Sequence, residues 1–490
     1  MSRPTVPPLL LLLPLLAALL LPGPAAAQDA KSRVAALVEA GEERHATIAH
    51  RLFDLAEVGY QETESAGLLA QELEAHGFTV EMGVAGIPTA FVAEYRRGDG
   101  GPVIGFLAEY DALPGITQDR SPVRTPLEGS AAGHACGHHL FGAGSVAAAV
   151  AVRSWMEEAG QEGTIRLYGT PAEEGGAGKV YMVRAGLFED VDVVLHWHPG
   201  DRNSAGAAST LANKSAKFRF RGRSAHAAGA PERGRSALDG VEAMNHMVNL
   251  LREHVPQETR IHYVITYGGA APNVIPDFAE VFYYVRNPDP AQVRDIFERV
   301  AAAAEGAALG TGTEVEHEVV HGIYNLLPNE ALQRAVHANL ERVGGVIYDD
   351  EEWRFAETLR ESLPAGAPPL ERAAEVEPFH VTMDARSHST DVADVSWVVP
   401  TGGMSAATWI PGTSAHSWQA IAAGGTPIGT KGMVVAAKTL AMTAVDLLTD
   451  PELVEAARDE LNARIPDGWR YESLLGDRDP PLDYRAPAGG

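Results

Sequence analysis

The feature that most constrains the fold is a repeated pairing of an apolar run with metal-binding or acidic side chains that follow it. PVIGFLAEYDAL, TIRLYGTPAEE and VDVVLHWHP each start as a buried strand and end in carboxylates or imidazoles. Helical segments with apolar residues at three- and four-residue spacing separate these runs. Such alternation predicts an α/β fold around a mixed, mainly parallel sheet. Because ligands bind beyond the carboxyl ends of such strands, we expect the chemistry at that edge.

Residues 209–324 have a different pattern. SAKFRFRGRSAHA alternates like a half-exposed strand, and two amphipathic helices and three further strands follow it. The order strand–helix–strand–strand–helix–strand predicts a small α+β unit of the ferredoxin-like kind, inserted into the larger domain. The predicted organisation is therefore a discontinuous larger domain of residues 31–208 and 325–465, the insertion at 209–324, and a mobile tail at 466–490.

The N-terminal residues 1–27 predict a cleavable signal peptide, with a basic start, a leucine-rich run and a small-residue end at Ala27. An uncleaved membrane anchor is disfavoured because Pro14 and Pro22 interrupt a run that is short for a spanning helix. We therefore expect cleavage after Ala27 and a secreted or periplasmic location. No later stretch is expected to span a bilayer, so no stable membrane insertion is predicted.

The formal net charge of -26 excludes some classes of partner. The chain has no tract rich in lysine and arginine. A surface of this kind argues against nucleic acid and against anionic lipid as partners.

The single cysteine, Cys136, lies in GHACGHHLFGAG among His134, His138 and His139. Exported proteins commonly carry disulfides, yet one cysteine cannot form a disulfide within a chain. Packing in the core, a bond to another chain, nucleophilic attack with His138 as base, and metal ligation are the alternatives. A thiolate and an imidazole two residues apart suit Zn, Mn, Co or Fe-type ions better than Ca or Mg.

Further potential ligands stand where strands are expected to end: Glu173 and Glu174 in GTPAEEGGAGK, His196 and His198 in VLHWHPG, and His416 in PGTSAHSWQ. Each alone is an ordinary surface feature. An adjacent carboxylate pair nevertheless allows one group to bind a metal while the other takes a proton from water. A cysteine-nucleophile hydrolase leaves these residues unexplained and shows no oxyanion motif. A non-catalytic solute-binding protein is the alternative from another class.

Seven motifs in consistent order resemble amidohydrolases of the aminobenzoyl-glutamate hydrolase type, within the larger aminoacylase/carboxypeptidase family of two-metal hydrolases. They are HACGHHLFGAG, YGTPAEEGGAGK, LHWHPG, HAAGAPERGRSALD, APNVIPD, STDVADVSWVVPT and AHSWQ, and the likeness runs from Ala35 to Leu448. The resemblance implies a catalytic domain that holds two divalent metal ions per subunit, with Zn or Mn expected, and an inserted lid that forms a dimer. The metal ligands that it implies are Cys136, which bridges both ions, His138, Glu174, His198 and His416.

The resemblance also implies roles outside the ligand set. Glu173 matches the general base, and His226 of the lid matches a histidine that reaches into the partner subunit's site to stabilise the oxyanion. Asn273 and Arg286 match lid positions that line the carboxylate or carbonyl side of the substrate.

Two positions leave alternatives open. His139 stands where related proteins often carry Asn or Asp, and it could compete as a ligand or merely line the site. His196 is the alternative to His198. Asp111 and Asp391 are expected either to orient ligands or to serve a turn or helix cap.

The predicted function is an exported metal-dependent amidohydrolase. Its substrates would be N-acyl or aroyl amino acids, such as aminobenzoyl-glutamate, or short peptides with a free carboxylate. A water activated by two metals would attack the amide carbon, with Glu173 as base. The expected partner is a second copy of the chain or a sister subunit.

Overall fold

The computed structural model describes residues 24–383 and 389–485, so residues 1–23 of the predicted signal peptide lie outside the described residues. The helices are α1 Pro24–Ala40, α2 Glu42–Leu55, α3 Thr63–Ala75, α4 His138–Ala159, α5 Gly178–Arg184, α6 Ala237–Leu251, α7 Pro290–Thr311, α8 Glu330–Val343, α9 Asp350–Arg360, α10 Val392–Ser396, α11 Trp418–Gly424, α12 Pro427–Thr449 and α13 Pro451–Arg464. The strands are β1 Thr79–Met82, β2 Phe91–Arg97, β3 Val103–Ala108, β4 Leu113–Pro114, β5 Ala132–Gly133, β6 Gly163–Gly169, β7 Val193–Gly200, β8 Ala207–Ala208, β9 Ala212–Arg221, β10 Arg260–Tyr267, β11 Phe278–Asn287, β12 Glu314–Ile323, β13 Val381–Thr382 and β14 Thr401–Ala407.

The larger domain is built on a six-stranded sheet in the order β1-β2-β6-β3-β7-β14. The four strands β6, β3, β7 and β14 are parallel, whereas β2 runs antiparallel to β6. The apolar helices α4 and α12 pack against each other and against these strands. The predicted mixed, mainly parallel α/β fold is confirmed, and it brings four strand ends to one edge.

The second sheet is antiparallel, in the order β10-β11-β9-β12, and helices α6 and α7 pack against it. Alternate residues of β11 are buried in a separate apolar core with Phe218 and Phe297. This arrangement confirms the predicted ferredoxin-like unit. Its strands run from Ala212 to Ile323, inside the predicted insertion.

The C-terminal segment differs from the predicted mobile tail. Leu474 is buried in the core of the insertion and its neighbour Leu475 in the core of the larger domain. The hydroxyl of Tyr471 donates a hydrogen bond of 2.6 Å to buried Asp394. The segment WRYESLL supplies enough apolar and aromatic surface to offset the entropy lost on ordering. Residues 486–490 of the predicted tail lie outside the described residues.

Helix α12 differs from the expectation that no later stretch could span a bilayer. Within the described part of the chain it is long and apolar enough to cross a membrane by length and composition. Of its most apolar 18-residue window, 83% is buried inside the protein, where α12 packs on α1, α4 and α8. This is the burial typical of a core helix.

We predict that Gly144→Ala lowers the free energy of unfolding by about 1–3 kcal/mol. A Cβ at Gly144, in α4, would lie 2.9 Å from atoms of Trp197 and Met433, so those side chains must shift. Gly67→Ala in α3 is the matched control, because its Cβ would meet open space. That change should add about 0.4–1 kcal/mol by reducing the entropy of the unfolded chain. Urea denaturation of both variants tests the pair, and equal effects would contradict the close approach of α4 to the sheet.

Candidate metal centre

The parallel strands bring the predicted ligands to one edge of the larger sheet. Asp111 follows β3, Glu174 follows β6, His198 lies in the last residues of β7, and His416 follows β14. The remaining two, Cys136 and His138, lie at the beginning of α4, where Gly137 takes the left-handed conformation that the tight turn requires. The site therefore forms at the predicted edge of the sheet.

Two groups of potential ligands share the sulfur of Cys136. One consists of Cys136, His138 and His198, the other of Cys136, Glu174 and His416, and the ligand atoms within each lie within 4.8 Å of one another. Sγ of Cys136 lies 3.5 Å from Nε2 of His198, and Oε1 of Glu174 lies 3.2 Å from Nε2 of His416. The structure thus brings all five predicted ligands together, with the thiol between the two groups.

Asp111 orients both halves of this cluster. Its Oδ1 lies 2.9 Å from Nδ1 of His138, and its Oδ2 accepts a hydrogen bond of 2.9 Å from the backbone N–H of Glu174. Asp111 is fully enclosed by the protein. Of the two roles left open for it, the structure shows the orienting one.

Glu109 is a member of the site that the sequence reasoning missed. Glu109, His138 and Glu173 form a further group of converging ligand atoms, and Oε2 of Glu109 lies 3.1 Å from Nε2 of His138. A signal was available, because Glu109 stands two residues before Asp111 and alternate residues of an extended chain point to the same side.

The surroundings of His138 favour positive charge. Burial lowers the pKa of this imidazole, but the acidic groups of Cys136, Glu109 and Asp111 outweigh burial and raise the pKa well above its ordinary value. A position where acidic groups stabilise a cation to this extent is electrostatically suited to a metal ion.

The environment of Cys136 disfavours a nucleophilic role. Burial raises the pKa of the thiol, and the nearby carboxylate of Glu174 adds to this effect, while His138 opposes it. Reactive cysteines need the opposite shift, towards the thiolate at neutral pH. A coordinated cation deprotonates a thiol directly, so metal ligation fits this buried sulfur better.

The residues present fit divalent cations. His138 Nε2 and Glu174 Oε1 are buried and make no well-formed hydrogen bond among the described residues. Buried polar atoms ordinarily have partners, and such orphans call for an ion or water. The donor set of one thiol, imidazoles and carboxylates is the set that Zn accepts in proteins, and Mn shares the nitrogen and oxygen ligands.

Glu173 differs from Glu174 in its neighbours. It is half-buried and lies with Glu109 and His138 rather than with the groups that share Cys136. Burial raises its pKa well above the usual range, and the charges of Glu109 and Glu174 add to the effect. A carboxyl group whose pKa is raised towards neutrality can exchange a proton with a reacting group.

A buried lysine supports the acidic cluster from below. Nζ of Lys179 lies 2.6 Å from Oε1 of Glu109 and 2.6 Å from Oδ1 of Asp391, and all three side chains are enclosed. Asp391 also accepts a hydrogen bond from the backbone N–H of Lys179, and it makes no side-chain cap for α10. Asp391 therefore holds the lysine rather than a ligand.

The two open histidine alternatives separate in the structure. The His139 ring lies 3.0 Å from the carbonyl oxygen of Gly424 and packs edge-on against Phe53 at 5.2 Å, among apolar residues. His196 lies against Gly403 and lines, with His198, a cavity of about 210 Å³. His198 is the member of the pair that lies beside the cysteine.

The three predicted lid residues lie on the inserted unit, and no described contact joins them to the Cys136 cluster within one chain. His226 is exposed, and its Nδ1 accepts hydrogen bonds of 3.2 Å from the amides of Ala228 and Gly229. Asn273 lies next to it, because its carbonyl accepts a hydrogen bond of 3.0 Å from Ala227. Arg286 lies on the face of β11 opposite the helices, and its buried Nε has no hydrogen-bond partner among the described residues.

Comparisons with known proteins agree with the predicted resemblance. Residues 105–390 match peptidase family M20/M25/M40. A p-aminobenzoyl-glutamate hydrolase subunit of Escherichia coli (strain K12) is 41% identical over 448 residues, which cover 86% of this chain and 93% of the relative. Xaa-Arg dipeptidase of Mus musculus is 31% identical over 448 residues, with 89% and 93% covered. A dinuclear metal binding peptidase of the M20 family from Bacillus subtilis has a similar fold, with a TM-score of 0.57 at 19% identity over 84% of this chain and 99% of that one.

We predict that Lys179→Met destabilises the protein by about 3–5 kcal/mol, because it leaves two buried carboxylates without their cation. The matched control is Lys438→Met, which breaks an ion pair with the exposed Glu39 and should cost less than about 1 kcal/mol. Chemical denaturation at neutral pH measures both. Similar losses in the two variants would show that the buried pairs contribute no more than a surface pair.

Proposed function

The chain belongs to peptidase family M20/M25/M40 and hydrolyses amide bonds, and we propose that it is a metal-dependent amidohydrolase for N-acyl or N-aroyl amino acids or short peptides. The observation that carries the metal dependence is the sulfur of Cys136, which is shared by two groups of converging ligand atoms. A solute-binding protein needs no such pair of groups around one thiol.

The chain's own residues divide the work of hydrolysis. Divalent cations, Zn or Mn, held by Cys136, His138, Glu174, His198 and His416 would supply Lewis-acid polarisation of the amide carbonyl and acidify the attacking water. Glu173 accepts the proton of that water and delivers it to the leaving amine, a role that fits its raised pKa. Asp111 holds the His138 ring in one orientation through its Nδ1.

The proposed substrate class carries a free carboxylate. One relative is named for p-aminobenzoyl-glutamate and another for Xaa-Arg dipeptides, and both names describe an amide bond to an amino acid. The unpartnered Nε of Arg286 supports a carboxylate contact on the lid, because a buried guanidinium nitrogen calls for an acceptor. The proposed export after Ala27 sets this chain apart from an intracellular salvage role, so its acyl group is left open within this class.

The proposed assembly is a dimer formed through the lid, with a second copy or with a sister subunit. Strand β10 is the edge of the lid sheet, and its residues Tyr263, Val264, Ile265 and Tyr267 are exposed. An apolar edge strand with unpaired backbone groups is a pairing surface. A relative that is itself named as a subunit agrees with an assembly of this kind. In the dimer, His226 of one chain would stabilise the oxyanion in the other chain's site.

We predict that Glu173→Gln lowers kcat by about 10²–10⁴-fold, because the amide cannot take the proton. Elemental analysis should find the metal content unchanged. Glu253→Gln on the exposed surface of the lid is the matched control and should keep full activity. Near-normal turnover of Glu173→Gln would reject the assignment of the base. Wild-type protein that binds acyl amino acids without hydrolysing them after metal loading would instead favour a solute-binding protein.

We predict that His226→Ala loses activity at unchanged metal content, because the lid histidine acts in a partner's site. Mixing His226→Ala with Glu173→Gln should restore activity, since one site of the mixed dimer then has both groups intact. The assay is turnover before and after subunit exchange. The absence of any recovery, with exchange demonstrated by mass spectrometry, would place His226 in its own chain's site or outside catalysis.

A further inference from the structure

The last described residues of the chain contact the loop that carries both catalytic carboxylates. We name residues 466–485 the C-terminal strap and residues 171–177 the Glu-Glu loop. Nη2 of Arg485 donates a hydrogen bond of 2.8 Å to the backbone carbonyl of Glu174, and the hydroxyl of Tyr484 donates one of 3.3 Å to the same oxygen. The guanidinium carbon of Arg485 lies 4.9 Å from the centre of the Tyr484 ring, so the two donors form one unit.

The Glu-Glu loop has a backbone that needs external support. Ala172 and Ala177 both take left-handed conformations, with φ of 59° and 58°, which are costly for residues other than glycine. The loop is anchored on its inner side by buried carboxylates, since Glu62 accepts from the N–H of Ala172 and Asp111 from the N–H of Glu174. The strap supplies the donors on the outer side of Glu174.

The strap itself is fixed along its length. Leu474 and Leu475 are buried in the two different cores, so the segment joins the lid to the larger domain. Nη1 of Arg184, in α5 directly after the Glu-Glu loop, donates a hydrogen bond of 2.7 Å to the carbonyl of Gly476. Gln61 then donates one of 2.8 Å to the carbonyl of Leu482. These contacts determine where the end of the strap lies.

A tyrosine pair completes the support. The Tyr484 ring packs edge-on against Tyr60 with 5.5 Å between ring centres, and the Tyr60 hydroxyl donates a hydrogen bond of 2.7 Å to the carbonyl of Gly176. A Cβ at Gly59 would lie 2.3 Å from the Tyr484 hydroxyl, so the strap approaches the backbone closely at this point. Two carbonyls of the Glu-Glu loop, those of Glu174 and Gly176, are thus bound by one aromatic cluster.

We propose that Tyr484 and Arg485 are positioning residues, which fix the peptide of Glu174 and so set the carboxylates of Glu173 and Glu174 for metal binding and proton transfer. This inference rests on the proposed function for its catalytic part. The carboxylate of a ligand follows the orientation of its own backbone, and groups that hold a ligand in place typically change metal affinity or activity by about 10–100-fold. The C-terminal strap is in this view part of the active site.

Arg485→Ala tests the proposal, with Arg470→Ala as the matched control, since Arg470 is an exposed arginine of the same strap. We expect Arg485→Ala to lower kcat by about 10–100-fold with little change in KM, and to speed the loss of Zn or Mn to a chelator. Arg485→Lys should recover most of the activity, because an ammonium group can still donate to the Glu174 carbonyl. Tyr484→Phe should have a smaller effect of the same kind, and Arg470→Ala none.

Hydrogen exchange of the intact protein separates this proposal from the proposed function. Amides of residues 172–177 should exchange faster in Arg485→Ala than in the wild type or in Arg470→Ala. Unchanged exchange in the Glu-Glu loop would overturn the proposal, whether or not kcat falls. Faster exchange with unchanged kcat and metal retention would overturn the positioning role. A wild-type protein without metal-dependent hydrolysis would reject the proposed function, while metal release and exchange would still decide the role of the strap.

Discussion

The crowding of carboxylates at the carboxyl ends of parallel strands is the constraint on which the rest of the structure depends. The enclosed or half-buried acids in this region are Glu62, Glu109, Asp111, Glu173, Glu174 and Asp391. Like charges at short range in a medium of low polarity repel strongly, and burial with the charge of Asp111 raises the pKa of Glu62 to about 8. Lys179 neutralises part of this charge through Glu109 and Asp391. The remaining acids, the thiol and the imidazoles make a site where divalent cations are the natural counter-charge.

Backbone strain is concentrated at the same place. Among the described residues, six that are not glycine have a positive φ, and four of them surround the site: Tyr60, Ala172, Ala177 and His416. Such conformations persist only where the surrounding contacts impose them, and they cluster where function requires a fixed geometry. Here the contacts are buried carboxylates that accept from loop amides and hydroxyls that donate to loop carbonyls. The acids thus serve both the charge of the site and the shape of its loop.

The sequence predicts what depends on local pattern and misses what depends on distant partners. The apolar runs and their polar ends predicted the sheet and the cluster around Cys136, because strand direction alone brings those ends together. Lys179 gave no signal, since a lysine in a glycine-rich stretch is normally exposed and this one is buried only through Asp391, 212 positions away. The contact between Arg485 and Glu174 spans 311 positions, and no periodicity encodes it. The aromatic and leucine content of WRYESLL was the available sign that the tail would pack.

The proposed substrate raises an electrostatic question, because an anion must approach a chain with a formal net charge of -26. At physiological salt, charges separated by more than about 8–10 Å are largely screened, so the distant acidic surface contributes little repulsion at the site. Recognition then depends on nearby groups. Arg286 lies on the open face of the lid sheet with an unpartnered Nε, and the ring of Tyr284 lies 5.3 Å from its guanidinium carbon. A guanidinium held in this way can bind a carboxylate in a fixed orientation, which makes the choice of an anionic substrate compatible with an acidic protein.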